Sequence, residues 1–79
     1  MNIYQKVAKN IKYYRKLKGL TQDDVAELTG YSPEYIRRIE SPNGKKKGFT
    51  IEAVYIISLA LNVDIADLFD EPKQAYRNR

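Results

Sequence analysis

A chain of 79 residues, 43% of them apolar and with no glycine-, serine- or glutamine-rich tract, is long enough for one compact domain with a single small core. It has no cysteine and no histidine, which excludes disulfides, thiolate metal sites, cysteine nucleophiles and serine–histidine–aspartate triads. The net charge is +4, unevenly spread: residues 1–50 carry 11 Lys/Arg against 5 Asp/Glu, residues 51–71 carry 5 acids and no base, and Lys73, Arg77 and Arg79 follow. A basic front half beside an acidic back half suggests one face meant for a polyanion, most plausibly nucleic acid. The longest apolar run, "AVYIISLALNV", is well short of the roughly 20 residues of a membrane span. The N-terminus lacks the apolar stretch of a signal peptide, so a cytoplasmic location and no membrane partner are expected.

Ile3, Val7, Ile11 and Tyr14 recur at spacings of four, four and three, which predicts an amphipathic helix over about 2–18 with these four residues inward. Gly19 is placed to end it. Thr21 is a natural N-cap for a second helix, with Asp23 and Asp24 in the first turn, Val25, Ala26 and Leu28 on the inner face, and Gly30 as its stop. Ser32 caps a third helix whose first position is Pro33 and whose first turn carries Glu34, running to about Ser41. "SPNGKKKGF" then reads as a loop. Thr50 caps a fourth helix with Ile51, Val54, Ile57 and Leu61 inward, and "DIADLF", capped by Asp64, is a short fifth. No segment alternates with period two, so the expected fold is all-α with five helices over residues 1–70 and a basic tail at 71–79.

On a wheel of about 100° per residue, Ile36, Ile39 and Glu40 share one side of the third helix. Glu34, Arg38 and Ser41 lie opposite, flanked by Tyr35 and Arg37. A helix with that outward face, set across a preceding helix by a short turn, is shaped to lie in a major groove.

The stretch "LTQDDVAELTGYSPEYIRRIE" resembles the helix-turn-helix of phage Cro/repressor-type regulators, the Xre-like family. The resemblance extends over about residues 7–69 and rests on Arg15, Leu20, Gln22, Ala26, Gly30, Ile36, Ile39, Glu40 and Leu61 in register. It implies a five-helix, lambda-repressor-like domain and a sequence-specific double-stranded-DNA-binding transcriptional regulator, a repressor or controller protein acting at promoters. It also implies roles by position. Gln22 corresponds to a glutamine that holds a DNA phosphate and buttresses the reading helix. Ser32, Pro33, Glu34 and Arg38 correspond to positions that meet base edges and nearby backbone, and Arg15 with Glu40 to a partly buried ion pair tying the first helix to the third.

Two departures stand out. Pro33 offers only apolar contact where many relatives place a polar base reader, and the loop carrying the lysines is a residue or two longer than the common form.

Arg38 has two uses open to it: a fork onto guanine O6 and N7, or an intrahelical pair with Glu34 four residues earlier. Glu34 can accept from cytosine N4 or simply favour the helix start. Arg37 and the loop lysines Lys45, Lys46 and Lys47 are phosphate candidates, with plain solvation as the alternative. Asp23, Asp24 and Glu27 resemble a patch that some relatives offer to RNA polymerase, although dipole stabilisation and solubility also account for them.

Tyr55, Ile56 and Leu59 lie off the inward stripe of the fourth helix and need cover, either from the fifth helix through Ile65, Leu68 and Phe69 or from a second subunit; as candidates for a homodimer face they fit a near-palindromic operator with two half-sites. The rival function is a protein-interaction or antitoxin module that keeps the fold and uses the apolar face around Tyr55 and Ile56. No nucleophile–base pair or metal set can be assembled, so no enzymatic activity, metal or cofactor is expected.

Overall fold

The computed structural model describes residues 2–41 and 48–71. Among them the order is α1 (Ile3–Leu17), α2 (Gln22–Thr29), α3 (Pro33–Glu40), α4 (Ile51–Leu61) and a closing 3-10 helix (Ile65–Leu68). The lysines 45–47, and the expected tail from residue 72 on, lie outside the described residues.

Each of the four α-helices begins where a side chain can take up an N–H group that the first turn leaves unpaired. Asn2 Oδ1 accepts from the Gln5 N–H at 2.8 Å while Gln5 Oε1 accepts from the Asn2 N–H at 3.1 Å. Thr21 and Asp24 form the same reciprocal box on α2, at 2.9 and 2.8 Å. Ser32 Oγ accepts from Tyr35 N–H at 3.1 Å and Thr50 Oγ1 from Ala53 N–H at 3.0 Å. Gly19 and Gly30 take φ of 74° and 83°, the left-handed conformation that ends α1 and α2 and that a side chain disfavours. Asn62 ends α4 in the same way, at φ 59°.

Val7, Ile11 and Tyr14 of α1, Val25 and Ala26 of α2, Ile36 and Ile39 of α3, and Val54, Ile57 and Leu61 of α4 close around one core that Leu68 seals from below. Three expected core residues are not in it. Ile3 is 49% exposed, Leu28 60% and Ile51 67%. Ile3 and Ile51 occupy the first turns of their helices and overhang the edge of the core, and Leu28 is rotated off the Val25–Ala26 side on which the short α2 rests.

The fifth helix is a correction too. It is a four-residue 3-10 helix, held by i→i+3 bonds from Asp67 N–H to Asp64 carbonyl at 2.9 Å and from Phe69 N–H to Ala66 carbonyl at 3.0 Å. Such tight turns are the usual form for a segment this short. It is anchored to α1 by Asn10, whose buried amide donates to the carbonyls of Leu68 at 2.9 Å and Asp70 at 2.6 Å.

Candidate nucleic-acid interface

Only residues 30–32 separate α2 from α3, so α3 must turn sharply across α2. Three features hold that turn. Gly30 supplies the left-handed residue. The Thr29 hydroxyl donates to the Val25 carbonyl at 2.8 Å and accepts from Tyr31 N–H at 3.2 Å. Ser32 then caps the new helix, with Pro33 at a position where its missing N–H leaves no bond unmade.

Ile36 and Ile39 are fully inward, which turns Glu34, Arg37 and Arg38 to solvent, while Ser32 and Pro33 are exposed at the N-terminal end of the helix. Arg38 makes no ion pair with Glu34 among the described residues. Its guanidinium sits 6.0 Å from the centroid of the Tyr35 ring, and Tyr35 packs edge-on to Tyr31 with centroids 4.9 Å apart. This aromatic support was not picked out in the sequence; the spacings of four and three between Tyr31, Tyr35 and Arg38 were the available signal. Burial, and then the neighbouring Tyr35 and Glu52, push the Tyr31 hydroxyl above its ordinary pKa, so it stays protonated beside that face at neutral pH.

Behind α3 lies a closed charged junction. Arg15 Nε donates to Glu40 Oε2 at 2.7 Å and Nη2 to Oε1 at 3.0 Å, a two-pronged pair whose side chains are 9% and 3% exposed. Arg15 Nη1 donates to the Leu20 carbonyl at 2.9 Å, and Gln22 Nε2 donates to Glu40 Oε1 at 3.0 Å. The Arg15–Glu40 pair therefore ties four segments together: the end of α1 and the turn after it through Arg15, and the start of α2 and the end of α3 through Glu40. Gln22 is half-buried there, and its amide has a second N–H to offer outward.

The other sequence-picked residues are elsewhere. Asp23 and Glu27 are exposed on α2, whereas the Asp24 carboxylate is taken up by the Thr21 backbone and hydroxyl, which hold its pKa below the usual range. Tyr55 and Leu59 are exposed on α4 and Ile56 is half-buried. The exposed Ile51 falls in line with Tyr55 and Leu59 at intervals of four, so the apolar seam on α4 is longer than the sequence suggested. Leu17 of α1, 58% exposed, faces Leu59 across a cleft of about 490 Å³. No group of three or more carboxylates or other ligating residues that could hold a metal occurs among the described residues, and none of their helices is long and apolar enough to cross a membrane.

Comparison with known proteins agrees with this architecture. Residues 11–68 match the family described as helix-turn-helix. Over 68 residues, 86% of this chain and 77% of its relative, the sequence is 31% identical to control protein C.SmaI of Serratia marcescens. The fold is similar to that of a hypothetical transcription factor, NHTF, from Neisseria, with a TM-score of 0.81 at 19% identity over 99% of this chain and 86% of that one. It is also similar to SinR, a master regulator for biofilm formation solved in complex with DNA, with a TM-score of 0.71 at 30% identity over 81% of this chain and 98% of that one.

Proposed function

The chain belongs to the helix-turn-helix family, in its Cro/repressor-type (Xre-like) branch of DNA-binding transcription regulators, and from that premise we propose that it is a dimeric repressor or controller that reads an operator with the exposed face of α3. One observation carries this reading: Glu34 and Arg38 project together from the side of α3 opposite Ile36, Ile39 and the Arg15–Glu40–Gln22 junction, and Ser32 and Pro33 are exposed at the N-terminal end of the same helix. A reading helix so braced loses little freedom on entering a groove.

Arg38, raised on the Tyr35 ring, forks onto a guanine edge; Glu34 and Ser32 meet neighbouring bases or backbone, and Pro33 packs on a thymine methyl. Gln22 gives its spare N–H to a phosphate, and Arg37 and the lysines 45–47 add further phosphate contacts. A second subunit covers the seam of Ile51, Tyr55, Ile56 and Leu59, pairing two reading helices about 34 to 36 Å apart for a near-palindromic site. Occupation of a promoter then blocks transcription in the cytoplasm, and Asp23 and Glu27 remain exposed for RNA polymerase. The likeness to a control protein makes the chain's own promoter the first operator to test.

Selection of bound sequences from a random duplex pool tests the reading. A two-fold-symmetric motif is expected, and Leu59→Glu is expected to yield folded monomers that no longer select it. Absence of any competitor-resistant binding would instead favour a protein-interaction or antitoxin module built on the same fold.

A further inference from the structure

The outer face of α1 carries three exposed lysines, Lys9, Lys12 and Lys16, at spacings of three and four. At about 100° per residue they fall within about 60° of one another, a narrow stripe about 10 Å long. None of them is paired with a carboxylate among the described residues, and α1 contains no acid at all. Like charges at these spacings repel, so the arrangement weakens the helix that bears it. The helix dipole accounts for Lys16, in the last turn, but its influence does not reach Lys9 and Lys12. A stripe of mutually repelling lysines is relieved by a polyanion.

Two buried residues of α1 tell which flank the stripe occupies. Asn10 points to the closing 3-10 helix, and Arg15 points to α2 and α3. Lys12 and Lys16 lie about 60° and 100° around the helix from Arg15 and about 160° and 120° from Asn10, whereas Lys9 lies about midway between the two, so it is the C-terminal part of the stripe that leans toward the junction where Gln22 and Glu40 meet. It continues the proposed DNA face away from the reading helix. One DNA strand rises about 3.4 Å along the duplex axis per charge and winds around it as it rises, so a row of ammonium groups about 10 Å long on flexible stems reaches about two successive phosphates.

We infer that Lys9, Lys12 and Lys16 form a second, sequence-independent DNA contact that holds the phosphates flanking the sequence read by α3. The inference rests on the reading proposed above and extends it beyond the operator's edges. Ammonium groups on flexible stems meet phosphate as point charges, so the contact adds affinity and no base preference.

Titration on two duplexes tests it, one trimmed at the outer edges of the selected motif and one extended by about a helical turn on each side, across a salt series. On the long duplex, replacing the three residues together (Lys9→Gln, Lys12→Gln, Lys16→Gln) is expected to flatten the plot of log affinity against log salt by about 1 to 2 per subunit, since each phosphate that a lysine neutralises contributes about 0.9 to the slope. On the trimmed duplex the variant and the wild type are expected to coincide. Arginine at the same three positions is expected to keep the wild-type behaviour on both duplexes, and the glutamine variant to melt no lower than the wild type. Equal losses on the two duplexes, no loss on either, or a loss with arginine as large as with glutamine would overturn the flanking contact while leaving the reading of α3 intact. A wild type that binds neither duplex would overturn both.

Discussion

Arg15 and Arg38 stand on two sides of the same helix junction and are put to opposite uses. Arg15 is 7% exposed, and three of its nitrogens donate to Glu40 and Leu20. Arg38 is exposed, lies over one aromatic ring and has its donors turned to water. Desolvation separates them. A buried guanidinium must be fully paired, and once paired it serves the scaffold; an exposed one stays available, at little energetic cost, for a partner that arrives later. The fold thus keeps an exposed, available arginine and a buried, structural one apart within one small domain.

The widest test of that separation is Arg15→Ala. It leaves Glu40 buried with Gln22 as its remaining side-chain donor and is expected to lower stability by about 3 to 5 kcal/mol, read from denaturant or thermal unfolding. An unchanged midpoint would show that water replaces the guanidinium and that the two arginines differ less than their burial implies. Arg38→Ala is the complementary test. Stability is expected to stay within about 0.5 kcal/mol, while specific binding weakens by about 1 to 3 kcal/mol and nonspecific binding holds, as measured by titration on the selected motif and on a scrambled duplex. Equal loss on both duplexes would make Arg38 a phosphate clamp.

Smaller changes probe how the reading helix is held. Ser32→Ala removes the acceptor for Tyr35 N–H and is expected to cost about 1 kcal/mol of stability, with part of the effect appearing as weaker operator binding because α3 frays at its reading end. The smallest effect is pH-dependent. The Asp24 pKa is held below its ordinary value by the Thr21 hydrogen bonds, so the contribution of this cap is present at neutral pH and is lost as pH falls below about 4, through the lowered pKa. Asp24→Asn is expected to shrink the acid-induced loss in thermal midpoint between pH 5 and pH 3; an identical acid profile would show that other carboxylates carry it.

The caps were legible from the chain because a cap is a contact over three residues. Thr21, Ser32 and Thr50 each accept the bond their position predicts, and Gly19 and Gly30 terminate helices as their missing Cβ allows. The inward pair Ile36 and Ile39 was equally legible, since one helical period decides which side of α3 they share. The register of the family motif brought Arg15 and Glu40 into view together, 25 positions apart.

Tertiary packing decided the rest, because a wheel gives an angle but not what covers it. Ile3, Leu28 and Ile51 have the right chemistry for a core, yet they lie where no neighbouring helix reaches. Ile51 thereby passes from the expected core to the exposed seam with Tyr55 and Leu59. The segment after Asn62 was marked as helical by its pattern, but four residues pinned between a left-handed turn and the Asn10 amide close as a 3-10 helix. Neither the Gln22 bond to Glu40 nor the Tyr35 ring beneath Arg38 follows from any single helix. The first arises only where α2 meets α3, and the second needs the turn that stacks Tyr31 against Tyr35, so local sequence supplied the parts and the crossing of the helices determined which of them touch.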